Sequence, residues 1–369
     1  MKVLVVFGTR PEAIKMCPLV LELKKYKEIK CVVCLTGQHR EMLRQVMEAF
    51  NIKEDYNLDI MTDRQTLTTI TTSILEKLEP ILKKEKPDVV LVHGDTTTSF
   101  VASLAAFYQM IPVGHVEAGL RTGDVYSPFP EEMNRLLTDR ISSFYFAPTV
   151  KNADNLKAEG ICENVFVTGN TVIDAFAETV KGDYEYSNDI LKTIDFEKKV
   201  VLVTAHRREN IGAPLRAICN AIKRLAEENK DVVFVYPVHL NPAVREVAFS
   251  ILGDSSNIKL IEPVDVLDMH NLMAKCYMVM TDSGGIQEEA PHFGKPVLVL
   301  RTETERPEAV EAGTVKVVGV NEEEIYAEGS KILHDFDEYK RMAQAVNPYG
   351  DGHASERIAH ILLTIFQKK

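Results

Sequence analysis

The stretch YMVMTDSGGIQEEAP, residues 277–291, decides how the chain is read. Its first half is an apolar run ending in Thr281-Asp282-Ser283-Gly284-Gly285, the pattern of a buried strand that runs into a helix. Ser283 suits a helix N-cap, and two glycines let backbone N–H groups come close to a ligand. A helix N-terminus attracts phosphate through free N–H groups and its dipole. Glu288 and Glu289 follow one turn on, where a carboxylate can accept hydrogen bonds from vicinal hydroxyls. A nucleoside diphosphate would satisfy both halves, with phosphates on the helix end and ribose on the acid. The alternative is a capped helix whose acids sit near its positive end, worth about 0.3–1 kcal/mol.

Similar β-branched runs recur along the chain and alternate with longer helical patterns. They fall at 3–7, 31–35, 88–94, 111–117, 143–148 and 164–169, then again at 200–206, 232–239, 258–263, 277–285, 296–301 and 314–319. Apolar runs without polar alternation are strands covered on both faces, which means parallel sheets with helices packed on either side. Two such sets, separated by the polar stretch 182–199, predict an α/β chain of two Rossmann-like domains with parallel sheets and a cleft between them. The expected domains are 1–170 plus 354–369 and 171–353, the tail ending in an amphipathic helix.

Composition agrees with this class. The chain has 369 residues, 45% hydrophobic and 26% charged, ample for two cores. A net charge of −11 argues against nucleic acid as a partner. No apolar run reaches the roughly 18 residues of a membrane span, and the short N-terminal run reads as a first strand, so no membrane partner and a cytoplasmic location are expected. Cys31 and Cys34 have CxxC spacing but lie in a strand-like run and read as core. GxGxxG, GxxxxGK[ST] and HExxH are all absent, so no nicotinamide cofactor and no metal are expected. Asp335-Phe336-Asp337 reads as a solvated helical face.

Ligands in open α/β sheets bind beyond the carboxyl ends of the strands. The polar residues there are the candidates. Arg10 and Lys15 follow the first run; Arg10 suits a phosphate or else an ion pair with Glu12. Asp95 follows the third run and either serves the site or caps the next helix. Glu117 ends the fourth. Glu131 opens a later helix, with Arg135 placed for a salt bridge four residues on. Three acids around one sugar would form an acid–base arrangement, with burial and like charge raising some of their pKa values. His206, Arg207 and Arg208 end another run, and Arg306 lies close in sequence to the Ser283 helix.

Taken together, GTRPEAIKM (8–16), GQHREML (37–43), HGDTTTS (93–99), GHVEAGLRT (114–122), SPFPEEMNR (127–135), TAHRREN (204–210), TDSGGIQEEAP (281–291), ERPEAVEAGT (305–314) and NPYGDGHASERI (347–358) resemble the non-hydrolysing UDP-N-acetylglucosamine 2-epimerases of bacteria. The resemblance spans essentially the whole chain. It implies a GT-B-like fold, a homodimer, and interconversion of UDP-GlcNAc and UDP-ManNAc through elimination of UDP to 2-acetamidoglucal. It implies that Arg10, Lys15, His206, Ser283, Gly284, Gly285, Glu289 and Arg306 bind the UDP, and that Asp95, Glu117, Glu131 and His206 are catalytic. A second, activating UDP-GlcNAc would meet Gln38, Arg64, Glu131, Arg207 and His239. Glu41 stands where some relatives carry Gln, and Met269 where an aromatic often covers the uracil. A hydrolysing epimerase releasing ManNAc and UDP, a GT-B glycosyltransferase and a non-catalytic sugar-nucleotide sensor remain as rival readings.

Overall fold

Every apolar run read from the sequence forms a strand. The computed structural model describes residues 1–37, 40–62 and 65–367, and of Arg40, Glu41 and Met42 the backbone alone. Gln38 and Arg64, named above for an activating ligand, lie outside the described residues. The chain divides into two units, Met1–Glu178 with Tyr349–Lys369, and Thr179–Pro348.

The first unit holds β1 (Lys2–Phe7), β2 (Lys30–Leu35), β3 (Tyr56–Asn57), β4 (Val89–His93), β5 (Val113–Val116), β6 (Phe144–Ala147) and β7 (Val165–Val167). They form one parallel sheet in the order β3-β2-β1-β4-β5-β6-β7. The second unit holds β8 (Val200–Thr204), β9 (Val233–Pro237), β10 (Ile258–Ile261), β11 (Met278–Thr281), β12 (Val297–Val299) and β13 (Val315–Val317). Their order is β10-β9-β8-β11-β12-β13, again all parallel. In each sheet the winding reverses at one pair of neighbours, β1/β4 in the first and β8/β11 in the second. Loops leave that pair in opposite directions and open a crevice at the carboxyl ends. Each unit therefore presents a ready ligand position, and the candidate residues cluster there.

Burial explains the strand sequences. Val3 to Phe7 and Val200 to Val203 are completely buried, because helices cover both sheet faces. Removing each such side chain from water stabilises the fold by about 1.5–3 kcal/mol. Leu4, Val6, Val90 and Val92 pack with Ile74, Leu78 and Val101 in the first core. Val201, Val203, Met278 and Met280 pack with Ile218, Ile222 and Leu225 in the second. Cys34 belongs to the first core, and burial pushes the Cys31 and Cys34 thiols up to about 12.

The tail helix Ala354–Gln367 packs in the first unit. The Asp174 carboxylate accepts from the N–H groups of Ser355 (2.6 Å) and Ala354 (3.2 Å), satisfying donors at the helix start. Tyr26 Oη meets His360 Nε2 at 3.0 Å, and Phe144 packs edge-on against Phe366. Asp335 does more than face solvent. Its carboxylate caps the helix Phe336–Ala343 by accepting from Asp337 N–H and Glu338 N–H. Among the described residues no helix is long and apolar enough to cross a membrane.

Candidate active site

The first unit gathers its polar residues at the carboxyl ends of β1, β4 and β5. The turn after β1 enters the helix Arg10–Lys25 through a capping box. Glu12, buried, accepts from the N–H groups of Gly8 (3.0 Å) and Thr9 (2.7 Å) and from Thr9 Oγ1. Its other oxygen accepts from Thr96 Oγ1 (2.7 Å) and Ser99 Oγ (3.2 Å), tying the β1 turn to the β4 turn. The sequence offered Glu12 as a surface partner for Arg10. Glu12 instead does the capping, because the chain reverses over it, and Arg10 stands half-buried at the first helical position.

Glu117 follows β5 with φ +67°, in the left-handed region that non-glycine residues avoid at a cost of about 1–3 kcal/mol. Lys15 Nζ and Asn170 Nδ2 (3.1 Å) donate to its Oε2, and His93 Nε2 lies 3.6 Å from the same oxygen. Oε1 takes no hydrogen bond among the described residues; a Cβ placed on Gly94 would lie 3.4 Å from it. One oxygen is held and the other is turned towards the Gly94-Asp95 turn. Burial raises the Glu117 carboxyl, but Lys15 and His93 outweigh burial and hold it well below the usual carboxylate range. The expectation of a raised carboxyl therefore fails at Glu117. The cation beside it was not visible at a separation of 102 residues.

Asp95 does not cap the next helix. Thr96 takes that place, its hydroxyl accepting from Ser99 N–H at 3.1 Å. Asp95 Oδ2 instead accepts from Arg135 Nη2 at 2.6 Å. The turn around it is fixed through its carbonyls, with Asn134 Nδ2 donating to Asp95 O (2.9 Å) and His115 Nε2 to Gly94 O (2.8 Å). Arg135 also pairs with buried Glu132 rather than Glu131, because Glu132 faces inward and accepts from the N–H groups of Thr122 and Gly123. Glu131 is the first residue of the helix Glu131–Ile141, half-buried, and has no ion pair among the described residues.

The second unit gathers its groups at the carboxyl ends of β8, β9 and β11. Ser283 stands at the N-cap of the helix Gly284–Glu289, yet its side chain makes no capping bond. The hydroxyl and the first N–H groups of the helix are therefore not spent on each other. Two arginines converge there. A Cβ placed on Gly284 would lie 3.5 Å from Arg207 Nη2 and 3.7 Å from Arg306 Nη2. Two guanidinium groups beside a glycine at a helix start form a setting for a polyanion. Glu288 is buried and pairs with Arg306 Nε, so it orients the arginine and does not face a ligand. Glu289 turns back over the helix start, its Oε1 3.1 Å from where a Gly285 Cβ would lie. The two adjacent acids thus divide, one behind the arginine and one beside the glycines.

His206 is exposed just after β8, its ring stacked on His239 at 5.1 Å with 5° between the planes. The part of the ring that packs against the protein loses hydration although 41% of the side chain stays open, and this, helped by His239 and Arg207 and opposed by Asp282, lowers the His206 pKa. Asp282, which the sequence reading did not single out, organises this corner. Completely buried, its Oδ2 accepts from His206 N–H (2.7 Å), Arg207 N–H (2.8 Å) and Asn210 Nδ2 (3.0 Å). Nothing in the periodicity marks it, though an acid at the end of an all-apolar strand is the available signal. Among the described residues no group of three or more His, Cys, Asp or Glu is placed to hold a metal ion.

Two parallel, doubly wound sheets with polar groups at each switch point define the GT-B-like class. The chain belongs to the UDP-N-acetylglucosamine 2-epimerase family, whose model matches residues 21–363. It is 58% identical over 364 residues to the UDP-N-acetylglucosamine 2-epimerase of Bacillus subtilis (strain 168), covering 98% of this chain and 95% of that one. The crystal structure of UDP-GlcNAc 2-epimerase from Neisseria meningitidis bound to UDP-GlcNAc superposes with a TM-score of 0.89 at 51% identity, over 99% of this chain and 100% of that one. The S. aureus MnaA–UDP co-structure gives 0.89 at 52%, over 99% and 97%. The glycosyltransferase of kitacinnamycin, at 12% identity and a TM-score of 0.66 over 98% of both chains, shares the fold alone.

Proposed function

We propose that this protein epimerises UDP-GlcNAc at C2 to give UDP-ManNAc, reversibly and without net hydrolysis. The observation that carries the reading is the convergence of Arg207 and Arg306 on Gly284 at an uncapped helix start. The UDP-GlcNAc complex of the Neisseria relative and the UDP complex of the S. aureus relative support it. In this reading Arg306, His206, Ser283, Gly284 and Gly285 take the diphosphate and Glu289 the ribose; Arg10 and Lys15 are the further cationic candidates.

The C2 proton of the sugar has no adjacent carbonyl and is not acidic enough to be removed directly. Loss of UDP comes first: the C1–O bond breaks, its electron pair leaves on the β-phosphate, and C1 becomes oxocarbenium-like. A base then takes the C2 proton, and 2-acetamidoglucal forms. UDP adds back to C1 while a proton arrives on the opposite face of C2. Preorganised cations lower the barrier to departure. Each positioned proton-transfer group contributes about 10²–10⁴-fold. Glu117, which keeps one oxygen free of hydrogen bonds among the described residues, Asp95 and Glu131 are the proton-handling candidates.

We also infer a homodimer and activation by a second UDP-GlcNAc. His239 stacked on His206, and Arg207 beside it, support coupling between an activator and the nucleotide. Proton NMR of UDP-GlcNAc with the pure protein in D2O, without added metal or NAD, tests the reaction. UDP-ManNAc carrying deuterium at C2 is expected. Free ManNAc with UDP would mean hydrolysis, and an unchanged spectrum would overturn the epimerase reading.

A further inference from the structure

The two carboxylate oxygens of Asp282 are used unequally. Oδ2 takes three donors, as described above, while Oδ1 is buried and accepts no hydrogen bond. A buried polar atom without a partner costs about 1–3 kcal/mol, more when charged, and its presence in a folded core asks for a reason. What faces Oδ1 is the ring of His206, with Nδ1 3.6 Å away. That gap is too long for a hydrogen bond and short enough for a small ring rotation to close. With Nδ1 turned to Asp282, Nε2 is the nitrogen left for a ligand.

Among the described residues, the charged and titratable groups facing the ring come from three elements. Asp282 lies at the end of β11, His239 beyond β9, and Arg207 in the ring's own loop. Asn241 N–H donates to His239 Nδ1 at 3.1 Å, so that ring carries its own proton on Nε2. In the free protein burial, His239 and Arg207 oppose a charge on His206, and Asp282 alone favours it. A diphosphate reverses this balance, because its charges offset Arg207 and attract a cation at Nε2.

We infer that Asp282 and His206 form a carboxylate–imidazole dyad that closes when a nucleoside diphosphate binds and takes one proton from solvent onto the ring. This rests on the nucleotide reading of the same corner. The proton balance is simple. Neutral imidazole gains a solvent proton, Nδ1–H then donates to Asp282 Oδ1, and Nε2–H donates to the phosphate oxygen that leaves C1. The proton returns to solvent when UDP departs. Asp282 never touches the sugar nucleotide; it is a positioning residue acting through His206.

Calorimetry of UDP binding in two buffers of different ionisation enthalpy at pH 8, where free UDP is fully ionised, counts the protons exchanged. The wild type should take up about one proton per chain more than His206→Asn. Asp282→Asn keeps an oxygen for the three donors on Oδ2 but points an N–H at Nδ1. It should bind UDP, lose that uptake, and lower kcat about 10²-fold with its pH optimum moved towards acid. As a readout independent of that variant, the ¹³Cε1 signal of His206 in labelled wild-type protein should move to the imidazolium position on adding UDP. UDP binding with no proton uptake and an unmoved His206 signal would overturn the dyad while leaving the nucleotide site standing. No UDP binding by the wild type would overturn both.

Discussion

Arg135 Nη2 and Asp95 Oδ2, forty positions apart in sequence, lie 2.6 Å apart, and the same guanidinium gives Nη1 to Glu132 Oε2 at 2.8 Å. The fork holds a candidate catalytic acid and a buried structural acid at once. Arg135→Lys supplies a point donor that cannot serve both geometries. Its kcat should fall about 10-fold with KM little changed, since proton transfer is sensitive to the placing of the acid. Arg135→Met leaves Glu132 buried without its cation and should cost about 3 kcal/mol or more in urea unfolding. Retention of wild-type kcat by Arg135→Lys would mean that the orientation of Asp95 does not matter to the reaction.

The Lys15–Glu117 pair predicts a pH-dependent loss of stability. Glu117's carboxyl is depressed in the folded protein, so its contribution is fully present above the unfolded value and fades as pH falls through the folded one. Lys15→Met removes the largest offset to burial, and the carboxyl then moves up. At pH 7 the variant keeps an underpaired buried carboxylate and should lose about 3 kcal/mol or more. At pH 5 Glu117 can take up a proton, and the loss should shrink. Urea unfolding of both proteins at the two pH values checks this; an equal loss at both would show that Lys15 does not govern the ionisation of Glu117.

These pairings mark the limit of what the sequence makes legible. Apolar runs located the strands because burial on both faces leaves a local signature. Only β3, two residues at a sheet edge, lacked enough of one. The polar residues at strand ends were likewise visible, since a strand end is a place in the chain. Their partners were not. Lys15 meets Glu117 across 102 positions and His206 N–H meets Asp282 across 76, and neither spacing has a period. Arg135 chose Glu132 over Glu131 because of which helix face turns inward, a difference of one residue that tertiary packing decides.

Arg301 forks onto Glu305 at 2.6 and 2.9 Å and also meets Glu209 at 2.9 Å, bracing the loop that carries Arg306. Burial raises the Glu305 carboxyl, but Arg301 and a backbone bond bring it down to about 2 from an ordinary 4.5. Its stabilising effect is therefore complete above about 4.5 and disappears between there and about 2. After allowance for partial exposure this amounts to roughly 2 kcal/mol. Arg301→Gln should be less stable than wild type by about that amount at pH 7, and the difference should close towards pH 2–3. Denaturant curves across that range decide it, and a difference independent of pH would contradict the assignment.

Gly284 separates folding from ligand binding. Its φ lies outside the left-handed region, and the methyl of Gly284→Ala would stand 3.5 Å from Arg207 Nη2 and 3.7 Å from Arg306 Nη2, ordinary contact distances. The folded protein can accept that methyl, and replacing glycine by alanine at a compatible site stabilises by about 0.4–1 kcal/mol through the unfolded chain. The same methyl occupies the space between two guanidinium groups and the first N–H groups of the helix, where the proposed diphosphate would lie. Gly284→Ala should therefore unfold at the wild-type temperature or slightly above it, while its Kd for UDP rises 10-fold or more, about 1.4 kcal/mol. Thermal melts with and without UDP read both effects on one sample. At a UDP concentration about 100-fold above the wild-type Kd, the UDP-induced stabilisation should fall by about half in the variant, and the rise in Tm with it, although the unliganded melt does not fall. An undiminished UDP shift would place the diphosphate away from Gly284, since a methyl group there cannot be accommodated beside a phosphate in van der Waals contact with the backbone.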